Sequence, residues 1–198
     1  MDQDITLGSR TGLPEDLLFL TRKHPRGTWR GQSALAGTGE IWLGNHDYFR
    51  AITAKIADQL TRLREDGETT YDSAPALRRH IGSLLGSLDG HHRIEDHHYF
   101  PAFQRVEPRL VRGFEILDAD HHLIHDAIDE LAAVTQASLR RLGQAEGVMT
   151  GDQKYAVDDL AATVDRIAPL LPQHLADEED IVIPLILERA KADPEFGA

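Results

Sequence analysis

Four stretches of this chain repeat apolar residues every three or four positions, and each stretch is interrupted by histidine or glutamate on the apolar face itself. The first stripe reads Trp42, His46, Phe49, Thr53, Ile56, Leu60, Leu63. The second reads Leu77, Ile81, Leu84, Leu88, His91, Glu95, His98. The third is Val111, Phe114, Leu117, His121, Ile124, Ile128, Leu131, and the fourth is Val157, Leu160, Val164, Ile167, Leu171, His174, Glu178, Ile181, Leu185. That spacing lays each set along one face of a helix with 3.6 residues per turn. It predicts helices over about 40–65, from about 73 until Pro101 bends or ends the second, from about 108, and from about 152 with a kink or break at Pro169 and Pro172. No sustained period-two alternation is present, so no strand is expected. The predicted fold is all-α, an antiparallel up-and-down four-helix bundle over 39–190. An irregular N-terminal extension over 1–38, with a short helix at Pro14 to Thr21, is expected to cover the bundle, and 191–198 reads as a polar tail.

Composition removes several function classes. The chain has no cysteine, which excludes disulfides, thiolate metal sites and cysteine nucleophiles and fits a cytoplasmic setting. Its formal net charge of -12 repels phosphate backbones and anionic lipid, so neither nucleic acid nor membrane is an expected partner. The first ten residues lack the basic start and apolar run of a signal peptide. Histidine is in surplus: there are 11, and only His24 lies before the first stripe. Imidazole is the commonest protein metal ligand, so the surplus directs attention to metal chemistry.

Placing His46, His91, Glu95, His121, His174 and Glu178 on apolar stripes is costly unless they share partners, because an unpaired buried polar group costs several kcal/mol. Residues four apart on a helix are neighbours, so His91 with Glu95 and His174 with Glu178 each offer a nitrogen and an oxygen to one point. His121 and His125 have the same spacing. Five imidazoles and two carboxylates exceed the needs of one ordinary ion and suit a carboxylate-bridged pair. Donors of nitrogen and oxygen without sulfur suit iron or manganese, and zinc also. The two His-x-x-x-Glu pairs echo each other, since Pro101 and Pro184 each follow ten residues after the histidine. Off the stripes, His92, Asp96, His97 and His122 read as rim or solvent residues, and Tyr48 and Tyr99 as helix-edge tyrosines. A ferritin-like reading of Glu95-x-x-His98 lacks its partners, because Asp118-x-x-His121 has the wrong carboxylate.

His46, His91-His92-Arg93-Ile94-Glu95, His121 to His125 and His174-Leu175-Ala176-Asp177-Glu178, with Phe100-Pro101 and Ile183-Pro184, resemble the hemerythrin family and its HHE cation-binding repeats over about Glu40 to Glu188. The resemblance implies a four-helix bundle holding two iron ions joined by an oxo or hydroxo bridge and two carboxylates. His121, His125 and His174 would serve one iron, and His46 and His91 the other, whose open position takes dioxygen end-on as peroxide. Glu95 and Glu178 would bridge. Respiratory members space the last carboxylate to match Glu179, whereas the stripe and the internal echo here select Glu178; many bacterial members have one histidine on the third helix, which gives His125 a supporting role instead. The resemblance implies binding of dioxygen or another small oxidant for storage, delivery or sensing. The alternatives are an enzyme acting on hydrogen peroxide, nitric oxide or an organic substrate, and an iron-handling or structural metal site.

Overall fold

The computed structural model describes residues 5–143 and 146–191, so all but the first residue of the expected tail lies outside the described residues. Among the described residues the chain is all-α apart from one small ladder. Its helices are α1 (Phe19–Lys23), α2 (Thr38–Asp66), α3 (Ser73–Ile94), α4 (Phe100–Val106), α5 (Val111–Leu142), α6 (Gly151–Ile167) and α7 (Leu170–Arg189). A wide π-helical turn over Glu95–Tyr99 joins α3 to α4. The second predicted helix therefore continues past Pro101. Proline has no N–H to donate back along the helix, and the widened turn just before it changes the hydrogen-bond register. The extra residue also rotates the face, and His98, expected on the inward stripe, is exposed. Pro169 does interrupt the last helix, between α6 and α7, while Pro184 stays inside α7. The short N-terminal helix begins at Phe19 rather than Pro14.

The expectation of no strand needs one correction. Strands β1 (Glu68–Thr69) and β2 (Gly147–Val148) pair antiparallel, Glu68 opposite Val148. Segments of two residues are too short to show an alternating pattern, and both lie in interhelical connections. Gly67 and Gly147 have φ of 65° and 103°, a region that glycine occupies without cost.

The chain forms two compact units. The first comprises residues up to Tyr48, His92–His122 and everything from Leu171; the second comprises Phe49–His91 and Leu123–Leu170. Helices α2, α3 and α5 contribute a segment to each. In the second unit the apolar stripes behave as their spacing predicts: Ile56, Leu60, Leu77, Ile81, Ile124, Val157 and Leu160 are all buried. Helix α6 is started by a capping box in which Thr150 and Gln153 satisfy each other's backbone N–H groups.

In the first unit the N-terminal segment is part of the core. Leu13, Leu17, Leu20, Trp29 and Leu35 are buried with Phe100, Phe103 and Phe114 of α4 and α5 and with Ile181, Val182 and Leu185 of α7. Each such side chain contributes roughly 1.5–3 kcal/mol. Trp29 satisfies its indole N–H on the His24 carbonyl at 2.7 Å. Helix α5 approaches α7 closely at Gly113, where a Cβ would lie 2.4 Å from Ile181 Cδ1. Gly113→Val is expected to cost about 1–3 kcal/mol through overpacking. Gly113→Ala should be near neutral, because the Ile181 terminus can turn away and Ala gains about 1 kcal/mol of helix propensity over Gly. Thermal melts of both variants test this, and a valine variant as stable as wild type would refute the close packing.

Glu188 ties the end of α7 to α1. It accepts from Lys23 at 2.5 Å and from His24 at 2.9 Å, and these hydrogen bonds, with the nearby charges of Lys23 and Lys191, hold its carboxyl down at about 2. The stabilisation is complete above the ordinary value of 4.5 and is lost as the pH falls through about 2. The pair is partly exposed and screened, so Glu188→Gln should cost only about 0.5–1 kcal/mol at neutral pH, with the gap to wild type closing in acid.

Candidate metal centre

The first unit gathers six of the chain's histidines and glutamates in its interior. Helix α2 supplies His46, one turn after the buried Trp42. The end of α3 supplies His92, and the first residue of the π turn is Glu95. Helix α5 supplies His121, and α7 supplies His174 with Glu178 one turn later. All six are at most 1 % exposed. They form two groups. His92, His121 and His174 place ligand atoms within 4.8 Å of one another, and so do His46, Glu95 and Glu178. The His92 and His121 rings stack at 4.0 Å, and Phe100 also stacks with His121, at 5.4 Å.

Glu178 faces both groups. Its Oε1 lies 3.3 Å from His46 Nε2 and its Oε2 lies 3.2 Å from His174 Nε2. The indole N–H of Trp42 donates to Glu178 Oε1 and fixes that oxygen. Glu95 Oε2 stands 3.6 Å from His121 Nε2. Both sets of converging nitrogen and oxygen donors suit a metal ion.

A sequence profile of the hemerythrin HHE cation-binding domain matches residues 38–186. The chain belongs to this family. No curated protein and no solved structure matches it.

In this HHE domain each of three imidazoles is oriented from behind by a carboxylate. His46 Nδ1 donates to Glu179 at 3.0 Å, His121 Nδ1 to Asp96 at 2.7 Å, and His174 Nδ1 to Asp120 at 3.2 Å. An ionised carboxylate only accepts, so Nδ1 donates in each pair and Nε2 is the ring nitrogen turned inward. Behind these carboxylates stand two arginines of the N-terminal segment. Arg10 spans both oxygens of Asp120 and reaches Asp177 at 2.8 Å; Arg26 reaches Glu179 at 3.2 Å and Asp180 at 2.8 Å.

The charges show what the centre lacks. Burial lowers the affinity of the His174 imidazole for its proton, but contacts with Asp120 and Glu178 outweigh it and raise the group to about 9. His46 is also raised: burial opposes the charge, and Glu178 and Glu179 overcome it. Burial alone would raise Glu178, yet His46 and His174 bring it well below the ordinary range. Glu95 goes the other way, pushed well up by burial and by the charge of Glu178. His121 is lowered, chiefly by burial. The rise of His46 and His174 marks an interior that favours positive charge, and a bound cation would compete with protons there.

The residues fit a metal on a second count. His121 Nε2 is buried with no hydrogen-bond partner, while His174 Nε2 and Glu178 Oε2 face each other at 3.2 Å. An orphaned buried atom costs about 1–3 kcal/mol, which coordination would remove. Nitrogen and oxygen donors without sulfur suit iron or manganese.

Five of the seven residues selected from sequence, His46, Glu95, His121, His174 and Glu178, meet in this interior. His91 is the last residue of the second unit, with its ring 5.1 Å from Phe49. It stands four residues before Glu95 in sequence, near the end of α3. His125 belongs to the second unit, where its side chain is 33 % exposed and 3.8 Å from Asp89. It is in neither group of converging donors among the described residues. His92, read from sequence as a rim residue, is fully buried in the first group. A stripe with a period of 3.6 admits one of two adjacent residues and selects His91, so it misses His92. The internal echo held the missing signal, because the position matching His92 in the second repeat is Leu175, an apolar residue that is also fully buried. Glu178 faces the donors and Glu179 backs His46, which separates two carboxylates that spacing left in competition.

Proposed function

We propose that this HHE domain holds a pair of iron ions and binds dioxygen. In this reading α2, α3 with α4, α5, and α6 with α7 form the antiparallel four-helix bundle of the family. His92, His121 and His174 would hold one iron, His46 and His91 would hold the other, and Glu95 and Glu178 would serve both. The supporting observation is Glu178, whose two oxygens each face a histidine of a different group. Iron bound there would supply reversible redox chemistry toward a small oxidant. The chain's own residues do the rest. Asp96, Asp120 and Glu179 keep the imidazole lone pairs aimed inward, Trp42 holds Glu178 in its bridging position, and Phe100 and Phe103 keep water out. The second metal position has fewer nitrogens and is the place for dioxygen.

No helix among the described residues is long and apolar enough to cross a membrane. With no cysteine in the chain, we place the protein in the cytoplasm.

A second reading is an enzyme acting on hydrogen peroxide, nitric oxide or an organic substrate. It is favoured by oxidisable aromatics beside the bridge: Tyr99 packs edge-on against Trp42 at 5.0 Å. Metal analysis of untagged protein, with absorption spectra in air and after peroxide, separates the two. About two irons per chain and a stable, reversible oxygenated form support binding. The same iron with gas evolution or rapid bleaching on peroxide supports the enzyme, and a single zinc or no metal defeats both.

A further inference from the structure

Resting on that reading, we infer that Arg10 and Arg26 of the N-terminal segment are positioning residues of the metal centre, each locking the carboxylate that orients one ligand histidine.

The two chains of contacts are parallel. On one side Arg10 grips both oxygens of Asp120, and Asp120 holds His174 Nδ1. On the other, Glu179 divides its oxygens, Oε1 to His46 Nδ1 and Oε2 to Arg26. Each arginine also takes a second acid from α7, Asp177 for Arg10 and Asp180 for Arg26. Backbone carbonyls complete both sets: Ile5 accepts from Arg10 at 2.7 Å and Ala176 from Arg26 at 2.5 Å.

An anchor for the segment alone had other carboxylates to use, as Lys23 does with Glu188 on the surface. Burying a guanidinium is expensive without paired acceptors. Arg10 is nevertheless placed with a side chain only 1 % exposed against the acid behind His174. The planar fork fits this task, because its rigid donors hold two carboxylates in set orientations, whereas a lysine ammonium is a rotating point charge. A gripped carboxylate keeps its orientation and shares its charge between the arginine and the imidazole, which sets both the aim and the donor strength of Nε2. The segment outside the helical core of the fold is, on this account, a working part of the metal site.

The test uses the full chain loaded with iron and compares Arg10→Gln, Arg10→Lys and Arg26→Gln with Lys23→Gln, an exposed anchor of the same segment. The readouts are the rate of iron loss to a chelator, the absorption spectrum and the midpoint potential. Arg10→Gln and Arg26→Gln should each speed iron loss by roughly 10–100-fold, the usual effect of disturbing a residue behind a metal ligand, and should shift spectrum and potential. Arg10→Lys should not restore wild-type behaviour. Arg10→Gln should add little to Asp120→Asn, and Arg26→Gln little to Glu179→Gln, since each pair acts through one histidine. If the arginine variants melt lower but keep the iron-loss rate, spectrum and potential of Lys23→Gln, the arginines are anchors only and the inference is wrong. Arg26 is 43 % exposed, so its variant is informative even if Arg10→Gln does not fold. Wild-type chain that takes up no iron would instead sink the reading on which this rests, and the inference with it.

Discussion

Alanine at His92 is expected to take the iron content from about two per chain to about one, while alanine at His125 leaves it unchanged. The two histidines compete for the third nitrogen of one group, and spacing alone favours His125, four residues after His121. Burial and geometry favour His92, which stacks on His121 and lies within reach of His174, whereas His125 is partly exposed beside Asp89. Loss of a residue behind a ligand costs about 10–100-fold in affinity, so loss of a direct donor should weaken that position by at least ~100-fold. Metal analysis after dialysis reads the result directly. Full iron in the His92 variant with depletion in the His125 variant would reverse the assignment.

The second large effect is on stability. Removing the metal with a chelator should lower the melting temperature by about 10 °C. A ligand at about 1,000 times its dissociation constant stabilises by ~4 kcal/mol, and in a chain of this size each kcal/mol moves the midpoint by roughly 2–4 °C. The structural source is the buried His121 Nε2, which has no hydrogen-bond partner, and the facing His174 and Glu178, all of which a cation would engage. Calorimetry of loaded and chelated protein measures the shift. Identical melts would mean that the cluster is self-sufficient without metal. Both effects are larger than those expected at Gly113 or Glu188, because they remove the organising charge rather than one contact.

Much of the helical layout is legible in the sequence because periodicity reports it directly. The stripes that begin at Trp42, Leu77 and Phe114 are buried largely as spaced, and the break before α7 follows from Pro169. The ligand region is legible for a related reason: His46, His121, His174 and the two glutamates interrupt stripes that are otherwise apolar. Periodicity fails where a helix stops being regular. The π turn at Glu95 sends His98 to solvent and turns Asp96 toward His121, and no one-dimensional pattern at a period of 3.6 anticipates either. Arg10 and Arg26 escape for a different reason. They lie in irregular chain, and their partners are more than a hundred residues away in sequence.

The widened turn has one further consequence. A π turn is a helix carrying one residue more than its neighbours need, and such turns concentrate at functional sites. At its start, His92 of α3 and Glu95, the first residue of the turn, are buried; downstream, Phe100 and Phe103 are buried again. A straight α-helix would have advanced each later side chain by a fixed rotation, and the two inward sets would not both be met. The turn therefore works as a phase adjuster within a single rod. It lets the portion that faces the metal site and the portion that builds the apolar core keep separate angular settings. In a related chain lacking that one residue, an alignment would show only a one-position gap near Asp96, but the side chains beyond it would be expected to face a different way.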